Sequence, residues 1–413
     1  MKDATSPGRR AIEGSPSSDG QEAGDEQITA AGRIFILSSL ALSAIAIVVL
    51  IPVLPAIEVH FSTTPHAPAL VRALISSVSL AMIAGSLIAG FLADKFGIRP
   101  IIVGAMAIYA AAGISGYFID NLVQLLVSRI AVGCAAATIT LLTVALVASF
   151  EPIKRARWMG WISSIAIVGS LVIVPLAGLV GNLGWRYVFL LHAFAVPMLV
   201  LALIGIRTRK PERPATASIV AEPRTRLSWR VWTLAGLALL GGAAMNAVSM
   251  FMPFHLAQIG EELPSRISLA MLASTLAGAI TSFAYGWSRR WASMSGLFAL
   301  GYLMGGAGLL LVSQSLSFTP AIVGLCVAGL GFGFTVPNIY AMAAAVAAPG
   351  QNGRVLGVVK GCYAAGAPAA QVTIEMIAEG QPASTPLAIF AGIATFLGVA
   401  WFVLKGSYAS ANR

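Results

Sequence analysis

Five side chains able to carry charge or direct a hydrogen bond stand inside stretches otherwise made of Ala, Leu, Ile, Val and Gly: Arg129, Asn246, Lys360, Gln371 and Glu375. Holding an ionisable group in such a run costs at least ~2.5 kcal/mol near the middle of a bilayer, so each is a functional candidate by default. Lys360, Ala364, Ala367, Gln371 and Glu375 follow helical spacing and fall within roughly 80° of one another at 100° per residue. One face there is polar or small and the rest is mostly apolar. Lys360 and Glu375 would stand about 22 Å apart along the axis, too far to pair. The stripe suits the wall of a water-lined cavity. The alternative is that Lys360 and Glu375 snorkel to opposite headgroup layers. Arg129 lies about two turns inside its run, where the competing reading is a structural ion pair or an end-of-helix snorkel. The Asn246 amide can bond a substrate or another helix.

Other chemistries are poorly served. Cys134, Cys326 and Cys362 all fall in apolar runs with no Cys-x-x-Cys or Cys/His spacing, so neither a metal site nor a disulfide framework is expected. His192 reads as a core residue, and His60, His66 and His255 sit near the ends of runs. A membrane enzyme needs a converging His, Asp or Cys cluster, which four scattered histidines do not provide. The reading is therefore not an enzyme, with no cofactor.

The elements that position these groups follow from composition. Apolar residues make up 58% of the 413 residues and charged ones only 10%, where a soluble domain carries about a quarter charged. The solvent is lipid, and the continuous runs favour helices over an alternating barrel. Runs near 33–55, 70–93, 100–118, 122–149, 158–181, 186–206, 231–254, 267–288, 293–314, 319–347, 354–378 and 385–405 are each long enough to cross a bilayer. The expected fold is an all-α membrane protein of twelve transmembrane helices in two six-helix bundles, 33–206 and 231–405. A disordered tail is expected over 1–32, a linker rich in Pro and basic residues over 207–230, and a short tail over 406–413.

The formal net charge of +10 is not a nucleic-acid footprint, because the basic residues occupy alternate loops. One set of loops and tails holds 21 of the 26 Lys and Arg, while the other holds only Arg72, Arg186 and Arg266. The positive-inside rule then places both termini in the cytoplasm. The halves also echo each other: Arg157-Trp-Met-Gly160 and Arg354-Val-Leu-Gly357 each put Arg-x-x-Gly at the entry of the helix that follows.

Between the second and third runs stands Gly90-Phe-Leu-Ala-Asp94-Lys95-Phe-Gly97-Ile-Arg99. Gly97 permits a tight turn between antiparallel helices, and Asp94 supplies an anion that can face a helix N-terminus. This loop resembles the signature of the major facilitator superfamily of secondary transporters, matching at Gly90, Asp94, Lys95, Gly97 and Arg99 and departing at Ile98. Leu125, Arg129, Gly133 and Ala136 resemble that family's fourth-helix motif, with Val132 where Gln is usual. Gly184, Trp185, Arg186 and Phe189 resemble its entry to helix six. Gly160, Gly169 and Gly178, nine residues apart with Pro175 nearby, resemble the hinge motif of its exporters, departing at Val174 and Leu179. The packing of neighbouring helices is the other use of such glycines.

The resemblance covers residues 33–405 and implies a cytoplasmic latch in which Asp94 meets the start of the eleventh helix near Gly353 and Arg354, with Arg157 a further partner. It also implies that Arg129 binds an anionic group or influences proton release. The second-half loop Gly286-Trp-Ser-Arg289-Arg290-Trp has no acid, so the latch is one-sided. Exporters of this kind often carry an acid in helix one; here that run has none, leaving Asp94, Glu58 or Glu375 to carry protons. The expectation is a monomeric inner-membrane transporter moving small amphipathic molecules by alternating access, with proton-coupled efflux. The alternatives are an uptake permease, a symporter or an uncoupled facilitator of the same fold, and further off a membrane enzyme or a non-transporting sensor.

Overall fold

A computed structural model of the chain describes residues 29–148, 150, 152–206, 227–348, 351–378 and 380–409. These form twelve helices: α1 Ala30–His60, α2 Ala67–Phe96, α3 Ile98–Ser115, α4 Leu122–Ala148, α5 Pro152–Gly181, α6 Trp185–Gly205, α7 Trp229–Gln258, α8 Pro264–Ser288, α9 Met294–Ser313, α10 Phe318–Val346, α11 Asn352–Ile377 and α12 Ser384–Ala409. Most of the expected tail and linker falls outside the described residues; where described, Ala30 to Gly32 already belong to α1, and Trp229 and Arg230 to α7. Two helices are irregular. A 3₁₀ turn at Ile51–Val53, beside Pro52 and Pro55, interrupts α1, because proline removes the N–H that would continue the ladder. Helix α6 opens with a 3₁₀ stretch over Trp185–Phe194.

The helix pairs of the first bundle recur in the second with a shift of six. Helix α2 packs on α4 as α8 does on α10, α1 on α5 as α7 on α11, and α3 on α6 as α9 on α12. The repeat that is faint in sequence is thus plain in packing. Small residues set the approach distance: a Cβ on Gly133 would lie 2.6 Å from the Val78 carbonyl oxygen, so α2 and α4 meet backbone to backbone. This accounts for Gly133 in the fourth-helix motif.

The helix ends define two faces. The near face carries the start of α1, the end of α12 and the α2–α3 turn, where Gly97 adopts φ 87°, a conformation that a side chain would strain. On the far face of the first bundle, Asp120 accepts hydrogen bonds from His60 (2.8 Å) and Arg186 (2.6 Å). The bond from His60, ahead of the charge of Arg186, holds the Asp120 carboxyl below the usual carboxylate range. Arg186 also lies over the Trp185 ring at 4.9 Å. The Gly-Trp-Arg motif is therefore a tie between the far-face ends of α1, α4 and α6.

Candidate functional site

The two bundles meet chiefly through α2 with α11 and α5 with α8, pairs that the six-helix shift interconverts, and the second half of α1 also touches α7 and α8. Toward the far face, side-chain hydrogen bonds cross this boundary at both pairs. Ser76 on α2 donates to the Gln371 amide oxygen on α11, and the Gln371 amide nitrogen reaches the Ala69 carbonyl at 3.4 Å. Asn182, just past α5, donates to the Ser265 hydroxyl (2.9 Å) and accepts from its backbone N–H (3.1 Å) at the start of α8. Gly178 brings the two helices together there, since a Cβ on it would lie 2.8 Å from the Pro264 carbonyl oxygen. These contacts close the far face.

Toward the near face the same surfaces separate. On α11, Gln371 (8% exposed) and Ala367 (5%) are buried at the boundary, while Ala364 and Lys360, one and two turns further along the same face, are exposed. Helix α2 shows the same gradient. From buried Ser76 its face runs through Leu80, Ile83, Leu87 and Phe91, each at least 45% exposed, to exposed Asp94. Burial at one end of a boundary face and exposure at the other describe a cleft between the bundles, open to the near face and sealed at the far one. A side chain built on Gly90, Gly160, Gly353, Gly357 or Gly361 would meet nothing within 4 Å, as expected where the bundles diverge.

The expected site residues separate into four groups. Lys360 and Gln371 lie on the boundary face of α11, Lys360 in the cleft and Gln371 at its seal, and Gln371 donates to Glu375 at 2.8 Å one turn beyond the seal. Asp94 and Arg354 are exposed on the near face. Asp94 makes no ion pair among the described residues, so the contact expected between them is not formed in this conformation. Lys95 lies near the Phe96 ring (5.2 Å), Arg99 donates to the Leu203 carbonyl at the end of α6 (2.8 Å), and Arg157 is exposed on α5. The glycines of α5 face different surroundings: Gly160 open space, Gly169 the Ala41 methyl of α1 at 3.3 Å, and Gly178 the other bundle. Pro175 lies inside the helix between the last two.

Arg129 and Asn246 do not reach the cleft wall as donors. Arg129 is fully buried in the first bundle, where it donates toward the Ala112 (3.4 Å) and Gly113 (3.5 Å) carbonyls of α3 and lies over the Phe189 ring at 4.9 Å. Its Nη1 is 3.2 Å from His192 Nε2, while His192 Nδ1 is 3.0 Å from the Phe189 carbonyl. The carbonyl requires Nδ1 to carry the proton, which leaves Nε2 as the acceptor for the guanidinium. The Tyr109 ring lies tilted beside that of His192, with centroids 5.5 Å apart, and its hydroxyl donates to the Leu42 carbonyl (2.7 Å). This sealed network pins α1, α3, α4 and α6, so neither an ion pair nor a snorkel is needed to explain Arg129. Asn246 donates back to the Gly242 carbonyl of its own helix at 2.8 Å.

Sequence reasoning missed Ser76 and Asn182, the polar residues that hold the bundles together across the far face. Nothing in their spacing marks them, because each gains its meaning from a residue more than 80 positions away. Among the described residues no group of His, Cys, Asp and Glu is arranged to hold a metal ion.

Comparison with known proteins agrees with this geometry. The chain is 26% identical over 194 residues to the tetracycline resistance protein, class H, of Pasteurella multocida, covering 46% of this chain and 48% of that protein. It is 34% identical over 105 residues to multidrug resistance protein MdtH of Aeromonas salmonicida, covering 25% and 26%. The matched segment thus spans less than half the length of these curated relatives. Among solved structures, a D-xylose-proton symporter superposes with a TM-score of 0.72 at 13% identity over 89% of this chain and 96% of that one. The nucleoside transporter NupG gives 0.69 at 14% identity over 90% and 99%. The family model of the Major Facilitator Superfamily matches residues 36–371, and this chain, an integral membrane protein of twelve helices in two related bundles about a cleft, belongs to that superfamily of transporters.

Proposed function

We propose that the protein is a monomeric secondary active transporter of a bacterial inner membrane that exports small amphipathic molecules by alternating access, with protons as the coupling ion. The observation that carries this reading is the cleft between bundles, sealed at one face by Ser76, Gln371, Asn182 and Ser265 and open at the other. Two bundles related by a repeat can rock about such a cleft and expose it to each side in turn. With the positive-inside assignment, the open near face is cytoplasmic, and both termini lie there.

Export draws on the names of the relatives, a tetracycline resistance protein and a multidrug resistance protein. The mostly apolar cleft wall of α2 supports amphipathic cargo, and Lys360 at its mouth leaves room for anionic or neutral compounds. Asp94 serves as the cytoplasmic latch, engaging the start of α11 near Arg354 when the far face opens, with Arg157 as a second partner. The acids available to carry protons are Asp94, Glu58 and Glu375, of which Glu375 already bonds the far seal through Gln371. Gly160, Gly169 and Pro175 give α5 the small-residue surface and the break that a bending helix needs.

A compound-panel assay in cells with and without the protein, each with and without a protonophore, tests direction, coupling and cargo together. Lower accumulation that the protonophore reverses is the expected result. Higher accumulation makes the protein an uptake permease or symporter, and flux indifferent to the protonophore makes it a facilitator. No change for any compound would remove the reading.

A further inference from the structure

The far face carries a feature that the cleft does not use. Above the seal, α1 and α2 of one bundle and α7 and α11 of the other line an open-mouthed cavity of about 570 Å³. Its floor is apolar and well buried, formed by Phe251 (2% exposed), Phe254 (8%) and Ile374 (2%). Its walls carry Glu58 and Glu262, and among the described residues one guanidinium, Arg72, whose charge also acts on Glu58 and which has further interactions of its own. Glu58 Oε2 is buried and has no hydrogen-bond donor among the described residues. A buried carboxylate oxygen without a donor is costly to leave so, and a donor brought by a ligand would relieve it.

We propose that this cavity is a regulatory binding site, distinct from the transport cleft, for organic cations that carry a primary ammonium on an aromatic body. The ammonium bonds Glu58 Oε2, and the rings of Phe251 and Phe254 take the apolar body and favour the charge above it. Both bundles line the cavity, so parting α2 from α11 at the Gln371 seal also parts its walls. A molecule lodged there binds the far-closed conformation better than the far-open one and holds the protein in it. The site is therefore inhibitory when filled from the far side. Its binding step does not rest on the direction or coupling proposed above.

The test uses the full-length purified protein and monodansylcadaverine, whose dansyl group brightens on leaving water and whose other end is a primary ammonium. Saturable fluorescence enhancement is expected, with dissociation constants raised about tenfold in Glu58→Gln through loss of a charge-assisted bond. Ala364→Trp, which blocks the cleft and leaves this cavity intact, should bind as the unmodified chain does. Phe254→Leu, which keeps an apolar side chain, provides a second weakened variant should Glu58→Gln fail to elute as a folded species. Where transport is measurable, far-side probe should slow it in the unmodified chain and less in Phe254→Leu. Absence of saturable binding overturns the proposal, as does binding lost in Ala364→Trp and retained in Glu58→Gln and Phe254→Leu. Failure of the transport reading alone would leave the binding result standing.

Discussion

Replacing Gln371 by Ala isolates the seal at the far face. The Gln371 amide makes three contacts, but only two cross between bundles: the bond from Ser76 and the approach to the Ala69 carbonyl at 3.4 Å. The third, to Glu375, lies within α11 and survives any rigid separation of the bundles, so it does not contribute to closure. Hydrogen bonds between membrane helices average about 0.6 kcal/mol and reach about 1.7. Two such bonds therefore sum to about 1–3 kcal/mol, which the far-closed state loses in Gln371→Ala. Since 1.4 kcal/mol is a factor of ten, the far-open population rises about 5- to 150-fold. A reporter is available one turn away. Ala367 is 5% exposed on the same face, so a cysteine there becomes reachable from the far side only when that face opens. With Cys134, Cys326 and Cys362 replaced, an impermeant thiol reagent supplied to the far side should label Ala367→Cys at least fivefold faster when Gln371→Ala is present. Glu375→Gln, which keeps both crossing bonds, should change the rate by less than twofold. Labelling unaltered by Gln371→Ala would refute the assignment of this residue to the seal.

Three further outcomes follow from the same geometry. Asp94→Asn should reduce transport without reducing membrane insertion, because the acid is exposed in this conformation and the latch proposed for it forms only when the far face opens; normal flux would sink the latch. Arg129→Ala should lower stability by about 2–4 kcal/mol, read as thermal unfolding in detergent, since it strands His192 Nε2 and the Gly113 carbonyl, while the Ala112 carbonyl keeps its bond from Ser115. Arg129→Lys should fail to restore it, lacking the planar fork that serves several acceptors at once. Gly178→Val should favour the far-open state, raising far-side labelling of Ala367→Cys, because its Cβ would fall 2.8 Å from the Pro264 carbonyl oxygen; unchanged labelling would mean that α5 and α8 do not set closure.

Membership of a transporter superfamily was legible in a few residues. Gly90 to Arg99 marked it, and Gly97 behaves as its type requires, with a positive φ at the one-residue turn between α2 and α3. The role of Gly133 was half legible: the motif flagged it, but only the 2.6 Å approach to Val78 shows that it sets the distance between α2 and α4. Arg129 was legible as important and not as what it does. A charge in an apolar run signals a cost that something must meet, yet cavity water and a cage of carbonyls, an imidazole and a phenyl ring meet it equally well in sequence.

Sequence alone determined the number and extent of the helices, their division into halves and the charge asymmetry of the loops. The reason is that these depend on local quantities, namely apolar length against bilayer thickness and basic residues beside each run. Tertiary structure decided which polar residues face the cleft, which are sealed inside a bundle and which face of the protein is closed. Those outcomes depend on how each helix is rotated about its axis and on partners hundreds of residues distant, as with Ser76 and Gln371, and no window along the chain contains both sides of such a contact.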